Sequence, residues 1–171
     1  MKNTSKKPRK KYRKGRAVKD PVTLAILGSA AMPVDDQLQR LTILRPAFEA
    51  FVQGRASQQE AREVVATHNV VLCLSRQPGV LKGDVHDFLQ ASHDAITDIA
   101  KRFFQHGTKA VRPEEAEVMW ALFHLYEQVL ENVPIRSIER AEWTVKQRSR
   151  NKQDVRNLDD YANTEYEQHA A

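Results

Sequence analysis

Apolar side chains recur at helical spacing along most of this chain, and this periodicity constrains the fold more than any other feature. The clearest stripe lies between Asp84 and Gly107. Residues three and four apart share one side of an α-helix, so the stripe predicts a helix with one buried face. Its members are Val85, Phe88, Leu89, Ser92, Ala95, Ile96, Ile99, Ala100 and Phe103.

Start and stop signals mark further helices on either side of this stripe. Ser57 and Glu60 have the S-x-x-E spacing of a capping box, which predicts a helix that begins there and ends near Pro78. Pro113, followed by acidic residues, is typical of the first turn of a helix, and the apolar pattern carries that helix to about Asn132.

Further capping and proline signals indicate the boundaries of the remaining helices. Asp35-Asp36 are expected to cap a helix that runs to about Gln53, and Pro46 is expected to kink or divide it. Ser137 is expected to cap a last helix that ends among basic residues near Arg150. Residues 22–31 are apolar and predict a short helix or an extended strip on the core.

The predicted fold class is all-α, an antiparallel helical bundle of four to five helices. The one β-like run, residues 70–74, lies inside a well-capped helix, and the chain has only six glycines for turns. We expect three parts: a disordered basic arm at 1–20, a helical bundle domain at 21–150 and a flexible C-terminal tail at 151–171.

The positive charge is concentrated in the predicted arm. The chain carries +5 overall, but residues 1–20 hold ten basic side chains and one acid, which gives +9. Residues 21–145 carry −4, and the rest is neutral. The arm has two large apolar side chains, Tyr12 and Val18, so it cannot offset the entropy of folding by itself.

The arm predicts non-specific nucleic-acid binding, because lysine and arginine contact phosphates without fixed geometry and tyrosine can stack on a base. The sequence contains no recognition helix rich in arginine and asparagine, so sequence-specific base contacts are not predicted. The choice between DNA and RNA is left open. The alternatives are a solubilising tail, an anionic membrane surface or a tether to an acidic protein. The predicted nucleic-acid-binding residues are Lys6, Lys7, Arg9, Lys10, Lys11, Tyr12, Arg13, Lys14 and Arg16.

The second hypothesis is a protein-binding module that acts through an acidic, partly aromatic helix face. Its partner would be a host protein complex or a second copy of the chain, so a homo-oligomer is compatible with it. Exposed tryptophan is a frequent anchor in protein interfaces, although packing between helices is the simpler explanation for both tryptophans. The candidate contact residues are Asp87, Asp94, Asp98, Trp120 and Trp143.

The sequence predicts no enzyme, no catalytic residue, no cofactor and no metal site. It contains no Walker, dinucleotide-binding or nucleophile-elbow motif. His68 lies at a core position and is expected to be a hydrogen-bonded structural histidine, and His86 and His93 lack metal-ligand spacing. A single cysteine, with no apolar run that could be a secretory signal or a membrane span, predicts a cytoplasmic protein.

The head of the chain, residues 9–14 followed by Asp20-Pro21, resembles a group of small, mostly uncharacterised proteins encoded in proteobacterial genomes and prophages. Members are similar in a K/R-K-Y-R-x-K head, a helical body and a segment like residues 133–141. This chain departs from the pattern at Lys14, where such heads often have proline. The resemblance implies a bacterial or phage setting and no catalytic residue.

Overall fold

The computed structural model describes residues 30–81, 85–108 and 110–151, and these ranges contain five α-helices and no strand. The predicted helical bundle is therefore confirmed. The predicted arm, the tail from residue 152 and most of the 22–31 segment lie outside the described residues. The helices are α1 (Val34–Val52), α2 (Gln58–Ser75), α3 (His86–His106), α4 (Pro113–Asn132) and α5 (Ile135–Arg150).

Three of the predicted helix ends form as the local sequence dictates. The capping box is complete, because the Ser57 hydroxyl accepts from the Glu60 backbone N–H at 3.2 Å and the Glu60 carboxylate accepts from the Ser57 N–H at 2.7 Å. Pro113 is the first residue of α4. Gly107 ends α3 with a left-handed φ of 66°, a conformation that glycine adopts without strain.

The start of α1 corrects the prediction that Asp35 and Asp36 cap it. The helix begins at Val34, Pro33 is the N-cap residue, and no side chain caps the end. The backbone of Pro33 is already extended, with ψ at 143°, so the helix begins directly after it. The two carboxylates consequently lie inside the first turn, where they interact favourably with the helix dipole.

Pro46 does not divide α1, which is another correction, because one continuous helix spans it. Proline leaves the carbonyl four residues earlier, that of Thr42, without its helical partner. Thr42 and Pro46 are both exposed on the same side, so water can satisfy this carbonyl. The helix ends at Val52, Gly54 follows the C-cap residue with a left-handed φ of 67°, and the Arg55 N–H donates to the Ala50 carbonyl at 2.9 Å.

The last helix begins earlier than the predicted cap at Ser137. Pro134 is the N-cap residue, and its carbonyl accepts from the N–H of Ser137 at 2.8 Å and of Ile138 at 3.3 Å. The same turn binds the first described residues of the chain, because the Ile135 N–H donates to the Ala30 carbonyl at 3.0 Å. Residue 30 is therefore fixed beside the α4–α5 turn.

Helix α2 lies at the centre and packs against the other four helices. Side chains on several sides of α2 are consequently buried, including Thr67, Asn69 and Leu74. The main core is formed by large apolar side chains, and Phe48 of α1 meets Phe123 of α4 with ring centroids 5.3 Å apart. Within the described ranges, every buried side-chain nitrogen or oxygen atom has a hydrogen-bond partner.

An ion pair joins α3 to α4 beneath the loop that connects them. Arg102 binds both carboxylate oxygens of Glu115 and the carbonyl of Ala110, and Glu115 also accepts from the Arg112 N–H at 2.8 Å. Glu115 is only 6% exposed. Its hydrogen bonds and charge raise the pKa of Arg102 against the opposing effect of burial, so the guanidinium stays charged. Among the described helices, none is long and apolar enough to cross a bilayer.

Candidate functional site

The nine arm residues predicted to bind nucleic acid, Lys6 to Arg16, lie outside the described residues. The structure does place residue 30, ten residues after the end of the predicted arm. Ala30 is hydrogen-bonded to Ile135, and Ala31 forms an antiparallel bridge with Pro134. The first described residues therefore lie at the N-terminal end of α5.

Helix α5 presents a sharply divided surface. Its inward residues Ile138, Ala141 and Val145 are buried against the bundle. On the opposite side Trp143 is 64% exposed, the highest exposure but one among the large apolar side chains described. The exposed residues around it form what we call the outer α5 face: Arg136, Glu139, Arg140, Trp143, Lys146 and Arg150.

The outer α5 face is basic and its cations are available. Four of its six side chains are positive and one, Glu139, is negative. Among the described residues, none of the four cations takes part in an ion pair. In the same part of the chain, Trp143 makes no ring contact with another aromatic side chain. The face thus combines an accessible indole with uncompensated positive charge.

The acidic candidates lie elsewhere. Asp87, Asp94 and Asp98 are exposed along one side of α3, and Asp94 accepts a hydrogen bond from Gln90 at 2.9 Å. Helices α3 and α5 both pack against α2 rather than against each other. The three aspartates and Trp143 therefore lie on different helices, although the sequence hypothesis grouped them.

Trp120 has a packing role that Trp143 lacks. It is half-buried on α4, and its ring meets Phe123 edge-on at 5.8 Å and 89°. It also lies 6.4 Å from the ring of His124, one helical turn further along. These contacts account for the position of Trp120 in the bundle through packing between side chains alone.

A groove of about 750 Å³ lies between α1, α2 and α5. Within its lining, Arg40 of α1 pairs with Glu142 of α5. Burial disfavours the charge of Arg40, but the hydrogen bond to Glu142 and the negative charge there outweigh it, so the pKa of Arg40 is raised. Burial also raises the pKa of the neighbouring Tyr126, which keeps this phenol neutral.

The rim of the groove continues into the outer α5 face. Lys146 and Arg150 line both, and Arg62 of α2 lies on the opposite wall. The lining contains two carboxylates, Glu63 and Glu142, and four cationic side chains, which are Arg40, Arg62, Lys146 and Arg150. The groove therefore adds positive potential to the same side of the molecule.

The buried histidine is structural, as the sequence predicts. His68 is 3% exposed, and its Nδ1 lies 2.9 Å from the hydroxyl of Ser92. That hydroxyl donates to the Leu89 carbonyl at 3.0 Å, so it accepts from His68, which is protonated at Nδ1. Burial, together with the charge of His93, lowers the pKa of His68 to about 4. Within the described ranges, no group of three histidine, cysteine or acidic side chains is placed to hold a metal ion.

A second cavity, of about 340 Å³, lies between the α1–α2 loop and the end of α3. Its walls are mostly apolar, and Phe103 and Phe104 close one side. Substrate sites need a few convergent polar groups to orient a ligand, and here Ser57 and Gln58 at the helix start are the polar wall residues. The cavity offers no arrangement for chemistry.

Comparison with known proteins finds no family model, no curated protein and no solved structure that matches this chain. Function must therefore be argued from its own residues.

The outer α5 face is the feature that sequence analysis missed. A signal for it exists, because Arg136 and Arg150 lie seven residues on either side of Trp143, and Arg140 and Lys146 lie three. These spacings place all five residues on one side of a helix. The sequence pattern instead suggests grouping Trp143 with acidic residues, and the basic residues near Arg150 indicate the end of the helix.

Proposed function

We propose that this protein is a non-enzymatic accessory protein that binds nucleic acid without sequence specificity through its basic N-terminal arm. The observation that carries the proposal is the +9 charge of residues 1–20. Cations at this density contact phosphates and release condensed counterions, which drives binding without base recognition.

The structure of the body is compatible with this function. Residue 30, ten residues after the arm, lies beside the α4–α5 turn, next to a helix whose exposed face is itself basic. A polyanion held by the arm would consequently meet positive rather than negative charge on the nearest part of the bundle. The aspartates of α3, which would repel it, lie on a helix that packs elsewhere.

Fluorescence anisotropy with labelled duplex DNA tests the proposal directly. The full chain is expected to bind at about 50 mM salt, and if six arm cations contact phosphates, log K falls with log salt with a slope of about −5. A variant lacking residues 2–19 is the comparison, and it should lose most of the affinity and most of the slope. A full chain that fails to bind at this low salt concentration overturns the proposal.

The second candidate function is protein binding through the acidic side of α3. It is favoured by the exposure of Asp87, Asp94 and Asp98 on one side of that helix. Such a module would modulate a bacterial host complex, as the phage-like head of the chain suggests, and it would not need the arm. Pull-down of the same partner by the full chain and by the chain lacking residues 2–19, and its loss on changing the three aspartates to asparagine, would support it.

We further place the protein in the cytoplasm. Its single cysteine and its proposed polyanionic ligand both suit a reducing compartment that contains nucleic acid. Fractionation of the producing cell, with a periplasmic and a cytoplasmic marker, tests this location.

A further inference from the structure

We propose that the outer α5 face is a binding surface for single-stranded nucleic acid, with a base stacked on Trp143 and the adjacent phosphates contacted by Arg136, Arg140, Lys146 and Arg150. This inference rests on the proposed nucleic-acid binding and adds a second contact surface with its own specificity. It concerns the folded body, whereas the primary proposal concerns the arm.

The indole of Trp143 is placed for stacking. It is 64% exposed on a helix whose inward residues already fill the core, so packing does not account for it. Its flat apolar ring has no aromatic neighbour within the described residues. Every nucleobase offers a π-face, so such a ring binds bases without sequence preference.

The cations surround this ring symmetrically. Arg140 and Lys146 flank it at one helical turn, and Arg136 and Arg150 extend the same side by two turns in each direction. The helix has 16 residues and is about 24 Å long, so the face spans several nucleotides of an extended strand. A base platform bordered by positive charges is the combination found in proteins that bind single strands.

The geometry selects a single strand over a duplex. In a duplex the faces of the bases are covered by their neighbours in the stack, and an indole on a convex helix surface reaches only the backbone. Stacking on Trp143 would require the duplex to open, which costs a few kcal/mol for each base that leaves the stack. A duplex is therefore limited to phosphate contacts at this face.

Affinity measurements with two probes separate this surface from the arm. The probes are a labelled oligothymidylate of about 20 nucleotides and a duplex of the same length, each titrated with the full chain at the same salt concentration. In the full chain, Trp143→Ala is expected to weaken binding of the single strand by about fivefold to a hundredfold. Binding of the duplex should change by less than about twofold, because its phosphate contacts remain.

Three further variants serve as controls. Trp143→Phe keeps a stacking ring and should retain more single-strand affinity than Trp143→Ala. Arg136→Gln combined with Arg140→Gln should weaken both probes and reduce the salt slope by about two. Leu38→Ala removes another exposed apolar side chain, 57% exposed on α1, and should change neither probe.

Tryptophan fluorescence reports the contact itself. In Trp120→Phe the remaining indole is Trp143, and its emission should be quenched as oligothymidylate binds. Polyglutamate is the acidic-protein probe, and quenching by polyglutamate but not by the oligonucleotide would overturn the inference in favour of an acidic protein ligand.

The outcomes distinguish this inference from the primary proposal. If the full chain binds both probes and Trp143→Ala binds the single strand as tightly as the unchanged protein, the inference fails and the arm proposal stands. If the chain lacking residues 2–19 still binds the single strand weakly and Trp143→Ala removes this remainder, the inference is supported. If the full chain binds neither probe, both proposals fail.

Discussion

At the scale of single residues, the buried hydrogen bond between His68 and Ser92 joins α2 to α3. The Ser92 hydroxyl uses its proton on the Leu89 carbonyl and accepts from His68. This arrangement needs an uncharged imidazole, because a buried imidazolium would lose its hydration without a carboxylate to replace it.

The stability of the fold should therefore depend on pH through His68. Its pKa is lowered to about 4 in the folded protein, against 6.5 for an unperturbed histidine, so the unfolded chain binds a proton first as the pH falls. The contribution of His68 to the free energy of unfolding is fully present above pH 6.5. About 3 kcal/mol of it is lost as the pH falls from 6.5 to 4. Urea unfolding at a series of pH values measures the loss.

His68→Gln isolates this effect from the titration of carboxylates in the same range. Glutamine cannot take up the proton, but its amide can donate to Ser92. The variant should be less stable at pH 7 and should have a flatter pH profile between pH 6.5 and 4. Parallel profiles for the two proteins would contradict the assignment.

At the scale of helices, the Arg102–Glu115 pair holds α3 and α4 together beneath their loop. We expect Arg102→Ala to destabilise the protein by about 3 kcal/mol, because it leaves the buried Glu115 carboxylate with only its backbone partner. Thermal and urea unfolding give the difference. The matched control is Arg45→Ala, which removes an exposed pair with Glu49 at 3.6 Å and should cost under about 0.5 kcal/mol.

The capping box of α2 allows a second test at this scale. Ser57→Ala removes the acceptor for the Glu60 N–H and should cost about 1 kcal/mol of unfolding free energy. Ser57→Asp keeps an acceptor at the same position and should restore most of the loss. Equal destabilisation by both substitutions would show that the cap does not stabilise the helix.

Helix ends were predictable where the signal is local, and burial was not where it depends on neighbours. The capping box at Ser57 and the glycine at 107 act within one turn, so the sequence contains all that determines them. The burial of Thr67, Asn69 and Leu74 arises because α2 packs against four helices. A single apolar stripe in the sequence does not show how many helices surround it. The expected division of α1 at Pro46 does not occur for the same reason, because a helix tolerates an internal proline where the freed carbonyl faces water.

At the scale of the whole molecule, the candidate interface was only partly predictable. The sequence alone locates the excess positive charge in the arm, because a count of charged side chains does not depend on the fold. Trp143 lies on α5 and the three aspartates lie on α3, and each of these helices packs against α2, so the grouping of these residues into one surface stays a prediction. The cations around Trp143 become a surface only after Ile138, Ala141 and Val145 turn inward and set the orientation of the helix.

The division between arm and body gives a prediction about stability. The core is formed by residues between Met32 and Val145, so removing residues 2–19 should change the free energy of unfolding by less than about 0.5 kcal/mol. The same deletion should remove most duplex binding. Urea unfolding of the two proteins measures the first effect, and a large loss of stability would show that the arm packs on the body.

The hydrogen bond from Ile135 to Ala30 has a kinetic consequence. It fixes residue 30 beside one end of the outer α5 face, and the ten residues from there back to the arm span at most about 35 Å, so the two contacts share one molecule at limited separation. A strand released by either contact stays at a high local concentration near the other and rebinds before it diffuses away. Residence time on a long strand should therefore exceed what the two contacts achieve separately, while the rate of first capture is set by the arm alone.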